Sequence, residues 1–352
     1  MFEKSTWIRL PRNVVVGHGV LEDAGTVVAD THLAGRPLVV TSPTPRAVAA
    51  EPLVDALESE GIDPAMAVVE TASFEAVESV VEAARDAAAG YLVGVGGGKA
   101  IDIAKMAADE LGLGFVSVPT AASHDGIVSG RGSVPEGDTR HSVAADPPIA
   151  VIADTAVIAD APWELTTAGC ADIISNYTAV KDWRLANRLQ NVEYSEYAGA
   201  LSRMTAEMLV DNADSIKPGL EESAWVVVKA LVSSGVAMSI AGSSRPASGA
   251  EHLFSHQLDR IAPGAALHGH QVGVGAIMTE YLHAGEDGTW REVKAALESL
   301  DAPTTAAGLG VPESAVIEAL TSAHEIRDRY TILGGGISEE AAARVAHETG
   351  VL

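Results

Sequence analysis

The sequence predicts an α/β protein in two parts: an N-terminal half built on a mostly parallel, twisted β-sheet, and a C-terminal half that is mostly helical. Three observations carry this prediction. The chain has 352 residues, 47% of them hydrophobic and 20% charged, so it is long enough for two domains with a sizeable core. Short β-branched runs alternate with alanine-rich stretches in the first half. After Pro162 long helical patterns replace those runs.

Strands and helices are predicted to alternate through the first half. The predicted strands are Val14–Gly17, Leu38–Thr41, Ala67–Glu70, Tyr91–Val95, Phe115–Val118 and Ile149–Ala153. The predicted helices are Glu22–Ala29, Val48–Glu60, Phe74–Ala89 and Lys99–Leu111. This spacing is typical of βαβ units, which pack into a parallel sheet covered by helices.

The second half is predicted to be helical over Ser195–Lys217, Ser223–Ile240 and Ser248–Arg260. A proline disfavours helical conformation in the residue before it, so Pro162 indicates a new segment. We therefore expect one domain over residues 1–160 and a second over 161–352. A cleft between the two is a natural place for a ligand.

The charge balance excludes several classes of partner. There are 48 acidic and 23 basic residues, a formal charge of −25, and acids at this density repel nucleic-acid backbones and anionic membrane surfaces. The acids are scattered along the chain, which indicates the hydrated surface of a protein from a salt-loaded cytoplasm; an ordinary acidic mesophile is the alternative.

A cytoplasmic location is expected. Cys170 is the only cysteine, so disulfides and cysteine metal sites are excluded, and we expect it to serve in packing. The charged N-terminus lacks the apolar stretch of a signal peptide. No segment reaches the roughly 18 uncharged apolar residues of a membrane span.

A glycine-rich turn follows the fourth predicted strand. Gly96, Gly97 and Gly98 lead from this strand into a helix that begins near Lys99. Glycines let backbone N–H groups approach a phosphate, and a helix N-terminus favours an anion. The turn is neither the dinucleotide fingerprint nor a P-loop. A tight turn that binds nothing is the alternative.

A polar loop follows the fifth predicted strand and contains Ser123, His124, Asp125 and Ser129. Open parallel sheets bind ligands at the carboxyl ends of their strands, so this loop is a second candidate for ligand contacts. A structural loop with a turn at Asp125 is the alternative.

Histidines cluster in the helical half. His252 and His256 are four residues apart on one predicted helical face, and His268 and His270 follow shortly after. Asp172, at the glycine-marked start of an expected apolar helix, supplies a carboxylate that is costly to bury without a counter-charge. Three N and O ligands with one vacant position are typical of a catalytic zinc site. The spacing does not choose among the four histidines.

Together these motifs resemble the glycerol dehydrogenase and iron-containing alcohol dehydrogenase superfamily, and within it the sn-glycerol-1-phosphate dehydrogenases. The resemblance spans nearly the whole chain, and Ser123-His124-Asp125-Gly126 is its most discriminating string, because plain glycerol dehydrogenases have Ser-Thr-Asp-Ala-Pro there. The other motifs are Gly96-Gly97-Gly98-Lys99-Ala100-Ile101-Asp102, Pro119-Thr120-Ala121-Ala122, Gly169 to Asp172, Glu251 to His256, His268-Gly269 and Arg329 to Leu333.

The resemblance implies a dehydroquinate synthase-like fold, with a Rossmann-like dinucleotide-binding domain and a helical metal- and substrate-binding domain. It places zinc on Asp172, His252 and His268, substrate on Asp125, Asp172 and His256, and catalysis on Asp125 and His256. It treats His270 as a group at the surface or behind the ligands. The implied dinucleotide contacts are Gly96, Gly97, Gly98, Lys99, Ala100, Ile101, Asp102, Thr120, Ala121, Ala122, Ser123 and Ser129.

The implied reaction is the zinc-dependent reduction of dihydroxyacetone phosphate by NAD(P)H to sn-glycerol 1-phosphate, the backbone of archaeal ether phospholipids. The zinc ion polarises the carbonyl and stabilises the developing alkoxide, while the nicotinamide carries the hydride. Resemblance also implies an even-numbered homo-oligomer. The strand ending at Thr41 lacks the aspartate that repels a 2′-phosphate, and Arg46 is near, so NADPH is expected to serve at least as well as NADH.

Three alternatives remain open. A glycerol dehydrogenase has the same ligands and hydride chemistry. A lyase resembling 3-dehydroquinate synthase needs many basic side chains, and this chain has few lysines. A non-catalytic dinucleotide-binding protein also fits the fold. The substrate phosphate is the discriminator, and Arg131, Arg245 and His256 are its candidate ligands, although either arginine equally fits a structural ion pair.

Overall fold

A computed structural model of the chain describes residues 6–136 and 139–352. Its main sheet has six strands in the order β1-β8-β5-β4-β2-β3, and every neighbouring pair is parallel. Strands β6 and β7 form a separate antiparallel hairpin. The strand bounds are β1 Asn13–Gly17, β2 Arg36–Thr41, β3 Ala65–Val68, β4 Ala89–Gly96, β5 Gly114–Pro119, β6 Arg131–Glu136, β7 Thr139–Ala144 and β8 Ala150–Asp154.

Helices cover both faces of this sheet and make up the second half of the chain. Those before β8 are α1 Ala24–Asp30, α2 Pro43–Pro45, α3 Glu51–Ser59, α4 Phe74–Asp86 and α5 Gly98–Leu111. Those after it are α6 Thr155–Ala159, α7 Trp163–Ile174, α8 Asn176–Gln190, α9 Glu196–Asn212, α10 Glu221–Ala241, α11 Ala250–Ile261, α12 His268–Ala284, α13 Trp290–Ser299, α14 Glu313–Ser322 and α15 Glu339–Glu348.

The predicted fold class is confirmed, and the predicted strands all exist. The third lies two residues earlier than predicted, at Ala65–Val68. The predicted helix Val48–Glu60 is preceded by α2 and one π-helical turn, Arg46–Ala50. The β6–β7 hairpin was not predicted, because glycine and proline interrupt its apolar alternation; only the burial of Val134 and Gly132 marks an inward face.

Two apolar cores lie on opposite faces of the sheet. The smaller packs α1 and α3 against one face, with Leu53, Leu57 and Val93 fully or almost fully buried. The larger packs α4 and α5 against the other face and continues without a break into the helices of the second half. The domain boundary between residues 160 and 161 stays a prediction.

Among the described residues, one helix is long and apolar enough to cross a membrane by length and composition, namely α10. It packs along α9 and also contacts α6 and α7. Buried residues Val227, Leu231 and Ala237 place it in the interior of the helical half. The helix therefore has the position of a core helix.

Candidate functional site

A cleft of about 420 Å³ lies between the carboxyl ends of β4 and β5 and the helices α7, α11 and α12. The order of the sheet reverses between β2 and β4, because β3 lies on the far side of β2 and β5 on the far side of β4. Open α/β sheets bind ligands at such switch points. The cleft is thus placed where a ligand is expected from topology alone.

The glycine turn reaches this cleft through its last residue, Gly98. Gly96 ends β4 with φ of 148°, Gly97 is extended and begins the cap of α5, and Gly98 is its first residue. A Cβ on Gly98 would lie 2.1 Å from Nε2 of His124, so only glycine allows the imidazole to pack on this backbone. The Thr120 N–H donates to the Gly96 carbonyl (3.0 Å), which joins the turn to the polar loop.

The predicted dinucleotide contacts divide into two groups. Those that line the cleft are Gly98, Lys99, Asp102, Ser123 and Ser129. Those that do not are Gly96, Gly97, Ala100, Ile101, Thr120, Ala121 and Ala122. The side chains of Ala100 and Ile101 are fully buried in the core, so they offer a ligand only backbone atoms.

Three side chains from three helices form a candidate metal site in the same cleft. Asp172, His252 and His268 each place one ligand atom within 4.8 Å of the other two. Nε2 of His252 lies 3.4 Å from Oδ1 of Asp172, and the rings of His252 and His268 are 5.1 Å apart between centroids. Spacing left the choice of histidines open and the resemblance implied His252 and His268; the packing of α11 against α12 brings these two to Asp172.

Glu251 orients His252. It is fully buried, and its Oε1 accepts from Nδ1 of His252 (3.0 Å) and from the Gly249 N–H (2.5 Å). Its Oε2 accepts from the Thr178 hydroxyl (2.9 Å). Burial acts to raise the pKa of Glu251, but the hydrogen bonds from His252 and the backbone hold it below its usual range. The ionised carboxylate of Glu251 thus accepts a hydrogen bond from the protonated Nδ1 of His252, and Nε2 of His252 faces Asp172.

A chain of hydrogen bonds orients His268 in the same way. The Gln271 amide donates to Oδ1 of Asp259 (2.9 Å), so its carbonyl oxygen accepts from the Ser255 hydroxyl (2.7 Å). Because the Ser255 hydroxyl donates its proton to Gln271, its oxygen accepts a hydrogen bond from Nδ1 of His268 (3.0 Å). This places the His268 proton on Nδ1 and makes Nε2 the nitrogen suited to ligate a metal.

The donor set fits a divalent metal ion. It has one carboxylate and two imidazoles, and a hydrogen bond with a neighbouring group orients each of them. Catalytic metal sites that leave one coordination position open for substrate have such ligands. Asp172 is buried, and the hydrogen bonds of His252 with Asp172 and Glu251 outweigh burial and raise the pKa of His252 to about 9. An ion takes the place of that proton when it binds.

The expected position of Asp172 in its helix was wrong. Helix α7 begins at Trp163, so Asp172 lies in its last turn and Gly169 in its interior. The glycine serves close packing: a Cβ on Gly169 would lie 1.9 Å from the Ala122 carbonyl oxygen. This contact brings Asp172 to the polar loop, where Oδ2 accepts from the Asp125 N–H (3.1 Å).

Asp125 and His256 both line the cleft beside this cluster. Oδ2 of Asp125 accepts from the Ser234 hydroxyl (2.9 Å). Burial, followed by the charge of Asp172, raises the pKa of Asp125 to about 7. The ring of His256 stacks on that of His268, with centroids 5.6 Å apart. Both residues therefore reach the space in front of the candidate metal site.

His270 and Cys170 lie outside the cleft. His270 is buried, so the surface position allowed by the sequence is wrong; its Nε2 is 2.8 Å from the Thr167 hydroxyl, and burial lowers its pKa to about 4. It joins α12 to α7 behind the metal ligands. Cys170 is buried, which raises its thiol pKa to about 12 and confirms a packing role.

Lys105 was missed by sequence reasoning. Its buried ammonium donates to the Gly126 carbonyl (2.5 Å) and the Arg131 carbonyl (2.7 Å), and it lies 3.4 Å from Oδ1 of Asp102. Oδ2 of Asp102 accepts from the Ser133 N–H (3.1 Å). This pair ties α5 to the polar loop and to the hairpin. A lysine in a helix gives no sequence signal of burial.

The arginines named from the sequence take different positions. Arg46 pairs with Glu51 (2.9 Å), and both side chains are half exposed. Arg131 lines the cleft, whereas Arg245 does not. Arg327 also lines the cleft and Arg329 bonds to the backbone beside it; neither was singled out as a ligand.

Comparisons with known proteins agree with this geometry. The profile of the family described as iron-containing alcohol dehydrogenase matches residues 15–162. A glycerol-1-phosphate dehydrogenase (NAD(P)+) of Halobacterium salinarum is 79% identical over 352 residues, with 100% of both chains covered. One of Methanococcoides burtonii is 54% identical over 347 residues, covering 98% of this chain and 96% of the relative.

Solved structures with the same fold are more distant in sequence. A probable glycerol dehydrogenase from Sinorhizobium meliloti superposes with a TM-score of 0.80 at 20% identity, over 98% of both chains. The glycerol dehydrogenase of Schizosaccharomyces pombe gives a TM-score of 0.80 at 20% identity, over 99% of this chain and 91% of that one. These two show the fold, and the near-full-length identities show the family: the chain belongs to the glycerol-1-phosphate dehydrogenase family of oxidoreductases.

Proposed function

We propose that this protein reduces dihydroxyacetone phosphate to sn-glycerol 1-phosphate with NAD(P)H and a zinc ion, and so supplies the glycerophosphate backbone of archaeal ether phospholipids. The observation that carries the proposal is that Asp172, His252 and His268 line the same cleft as Gly98 and Lys99 at the start of α5. The names of the relatives, glycerol-1-phosphate dehydrogenase (NAD(P)+), support the substrate and the dinucleotide.

Asp172, His252 and His268 would hold the zinc ion. Zinc bound there supplies Lewis acidity that polarises a ketone oxygen. The protein contributes orientation: Glu251 and Ser255 hold the two imidazoles in the tautomer that leaves Nε2 available. Since both supports are buried or partly buried, the ligands need little reorganisation to bind an ion.

The glycine turn and the N-terminus of α5 would hold the dinucleotide pyrophosphate. The first turn of α5 has unpaired N–H groups and the positive end of the helix dipole. Gly98, Lys99, Ser123 and Ser129 line the cleft. When bound, NAD(P)H would supply the hydride, and Gly98, Lys99, Ser123 and Ser129 would hold it in the cleft that the candidate metal ligands also line.

Asp125 and His256 are the two candidates for moving the proton that completes the alcohol. Both line the cleft, and Ser234 fixes the Asp125 carboxyl. Loss of the essential proton donor lowers kcat by about 10²–10⁴-fold. The variants Asp125→Asn and His256→Gln, assayed for kcat at saturating substrate, distinguish the two, because only the donor's replacement gives a loss of that size.

The direct experiment follows NADPH oxidation at high KCl with dihydroxyacetone phosphate or unphosphorylated dihydroxyacetone, before and after chelation, with NADH run in parallel. We expect turnover of the phosphate ester that is lost on chelation and restored by zinc, with the sn-1 product. Preference for the unphosphorylated ketone would make it a glycerol dehydrogenase. No oxidation of either would point to a lyase or a non-catalytic protein.

We further propose that the enzyme acts in the cytoplasm as an even-numbered homo-oligomer without nucleic-acid or membrane partners. The formal charge of −25 disfavours both anionic partners. Tyr197, Met204 and Met208 leave an apolar strip exposed on α9, which suits contact with a second subunit. Light scattering at high KCl tests the oligomeric state: a monomer would contradict it.

A further inference from the structure

Arg131 and Arg327 line the cleft, Arg245 and Arg329 lie near them in the fold, and the reaction described above assigns a role to none of the four. Arg131 begins the β6–β7 hairpin, and Arg327 and Arg329 follow α14. Arg245 precedes α11. Burial, followed by the charges of Arg131 and Arg245, lowers the pKa of Arg327 to about 10. The charges of the other three arginines also lower the pKa of Arg329, after burial.

Arg245, Arg327 and Arg329 form no ion pair with any carboxylate whose side chain the structure describes, and Asp182 and Asp328 act on Arg245 only at longer range. The absence is notable in a chain with 48 acidic and 23 basic residues. The carboxylate of Glu251 acts on Arg327 and Arg329 only at longer range, and its oxygens already accept from His252, Gly249 and Thr178. Partly buried positive charge without a partner is costly, so an anion is the expected ligand.

Each arginine has a different share of its donors available. Arg329 donates hydrogen bonds to the Ser248 carbonyl and to the Ser244 hydroxyl (2.8 Å), and these bonds hold the segment 244–248 in place. Arg327 donates to the Ser248 hydroxyl (2.8 Å), and its buried Nε has no hydrogen-bond partner among the described residues. Nε and Nη2 of Arg131 donate to the hydroxyl and carbonyl of Ser142.

The location indicates which anion is bound. Arg131, Arg327, Ser244 and Ser248 all line the cleft that contains the candidate metal site. Ser248 lies two residues before α11 begins, and His252 is the third residue of that helix, so Arg327 is anchored to the segment that leads into a candidate metal ligand. In a triose phosphate only one methylene and one ester oxygen separate the phosphorus from the carbonyl carbon. A phosphate site close to the candidate metal site therefore suits this substrate. Arg131 begins the hairpin that packs on α5, whereas Arg327 bonds to the segment that precedes α11.

We propose that Arg131 and Arg327 bind the phosphate monoester of the substrate and that Arg329 is a positioning residue that holds the segment 244–248 against it. This inference rests on the proposed function for the identity of the substrate. Guanidinium groups suit the task because their planar donors match phosphate oxygens and remain charged. The site selects the phosphate ester over the free triose and thereby separates this enzyme from a glycerol dehydrogenase.

The test compares Arg327→Gln and Arg131→Gln with the wild type and with a control, Arg291→Gln, which removes an exposed guanidinium paired with Glu286. Steady-state kinetics are measured with dihydroxyacetone phosphate, with dihydroxyacetone and with varied NADPH, all at one KCl concentration. We expect KM for the phosphate ester to rise about 10- to 100-fold, the loss typical of a charge-assisted hydrogen bond, with kcat/KM for dihydroxyacetone and KM for NADPH unchanged.

Two outcomes overturn the proposal. Equal losses on both ketones would mean a structural role, and a change confined to KM for NADPH would assign the arginines to the dinucleotide. If Arg327→Gln does not fold, Arg327→Lys replaces it in the test, because lysine keeps the charge but lacks the planar donors. We expect KM for the phosphate ester to rise less in Arg327→Lys than in Arg327→Gln.

A second readout keeps the anion site separate from the reaction. If the wild type does not reduce dihydroxyacetone phosphate, the proposed function fails, and inorganic phosphate still tests the site by its effect on Tm. A phosphate-dependent rise in Tm in the wild type and in Arg291→Gln that is lost in Arg131→Gln and Arg327→Gln supports an anion site. An equal rise in all four proteins overturns it.

Discussion

Replacing Gly169 by alanine tests how the fold places Asp172, a member of the candidate metal site. The added Cβ would lie 1.9 Å from the Ala122 carbonyl oxygen, whereas real Cβ atoms essentially never come closer than 3.0 Å. Helix α7 and the polar loop must therefore separate by at least about 1.1 Å. Asp172 lies three residues further on the same face of the helix, so it moves away from Asp125 and from the two histidines.

The expected effects follow from this displacement. Overpacking costs roughly 1–3 kcal/mol, and alanine recovers about 0.5–1 kcal/mol in helix propensity, so the free energy of unfolding should fall by about 1–2 kcal/mol. A shift of the ligand should weaken zinc binding by about 10- to 100-fold, comparable to loss of a ligand's support. The kcat should fall by about 10²-fold, the cost of misplacing reacting groups by about 1 Å.

Zinc affinity is measured by competition with a chromophoric chelator, and stability by thermal unfolding at fixed KCl. The matched control is Gly335→Ala, because a Cβ there meets no atom within 4 Å and its φ is not left-handed. If Gly169→Ala bound zinc and unfolded like the wild type, the contact with Ala122 would not position Asp172, and the reasoning would be refuted.

Three further predictions concern buried groups. Glu251→Gln removes the charge that orients His252 and should weaken zinc binding by about 10- to 100-fold in the chelator assay, with little change in fold. Lys105→Met leaves two buried carbonyls and Asp102 without their cation, so urea unfolding should show a loss of about 3 kcal/mol. Cys170 is buried and its raised pKa keeps the thiol protonated, so mass spectrometry should find native protein unmodified by iodoacetamide at neutral pH.

Each of these three predictions has its own control or contradicting result. Glu340→Gln, at an exposed site, should bind zinc like the wild type, and equal affinity for Glu251→Gln would show that Glu251 does not orient the ligand. Lys229→Met removes an exposed lysine; the interpretation of Lys105 fails if both variants unfold alike. Alkylation of Cys170 in native protein at the rate seen in urea would contradict its burial.

The sequence predicted the α/β class and the helical second half because both leave strong periodic signals. The β4 strand, the glycine turn and α5 were predicted within two residues. The hairpin Arg131–Ala144 was missed because its short strands contain glycine and proline, and their pairing depends on contacts with α5. Asp172 was assigned to a helix start because an interior glycine cannot be told from a boundary glycine without the neighbouring loop.

The sequence by itself determined which groups were available: a glycine-rich turn before a helix, a carboxylate and a histidine cluster, and an excess of acidic residues. The tertiary structure decided which of them meet. It selected His252 and His268 as partners of Asp172, buried His270 behind them, and gathered Arg327 with Arg131 across nearly 200 residues of sequence. Sequence periodicity indicates which residues share one face of a single helix. Which side chains from different helices meet depends on how those helices pack, and close contacts such as that of Gly169 with Ala122 set this packing.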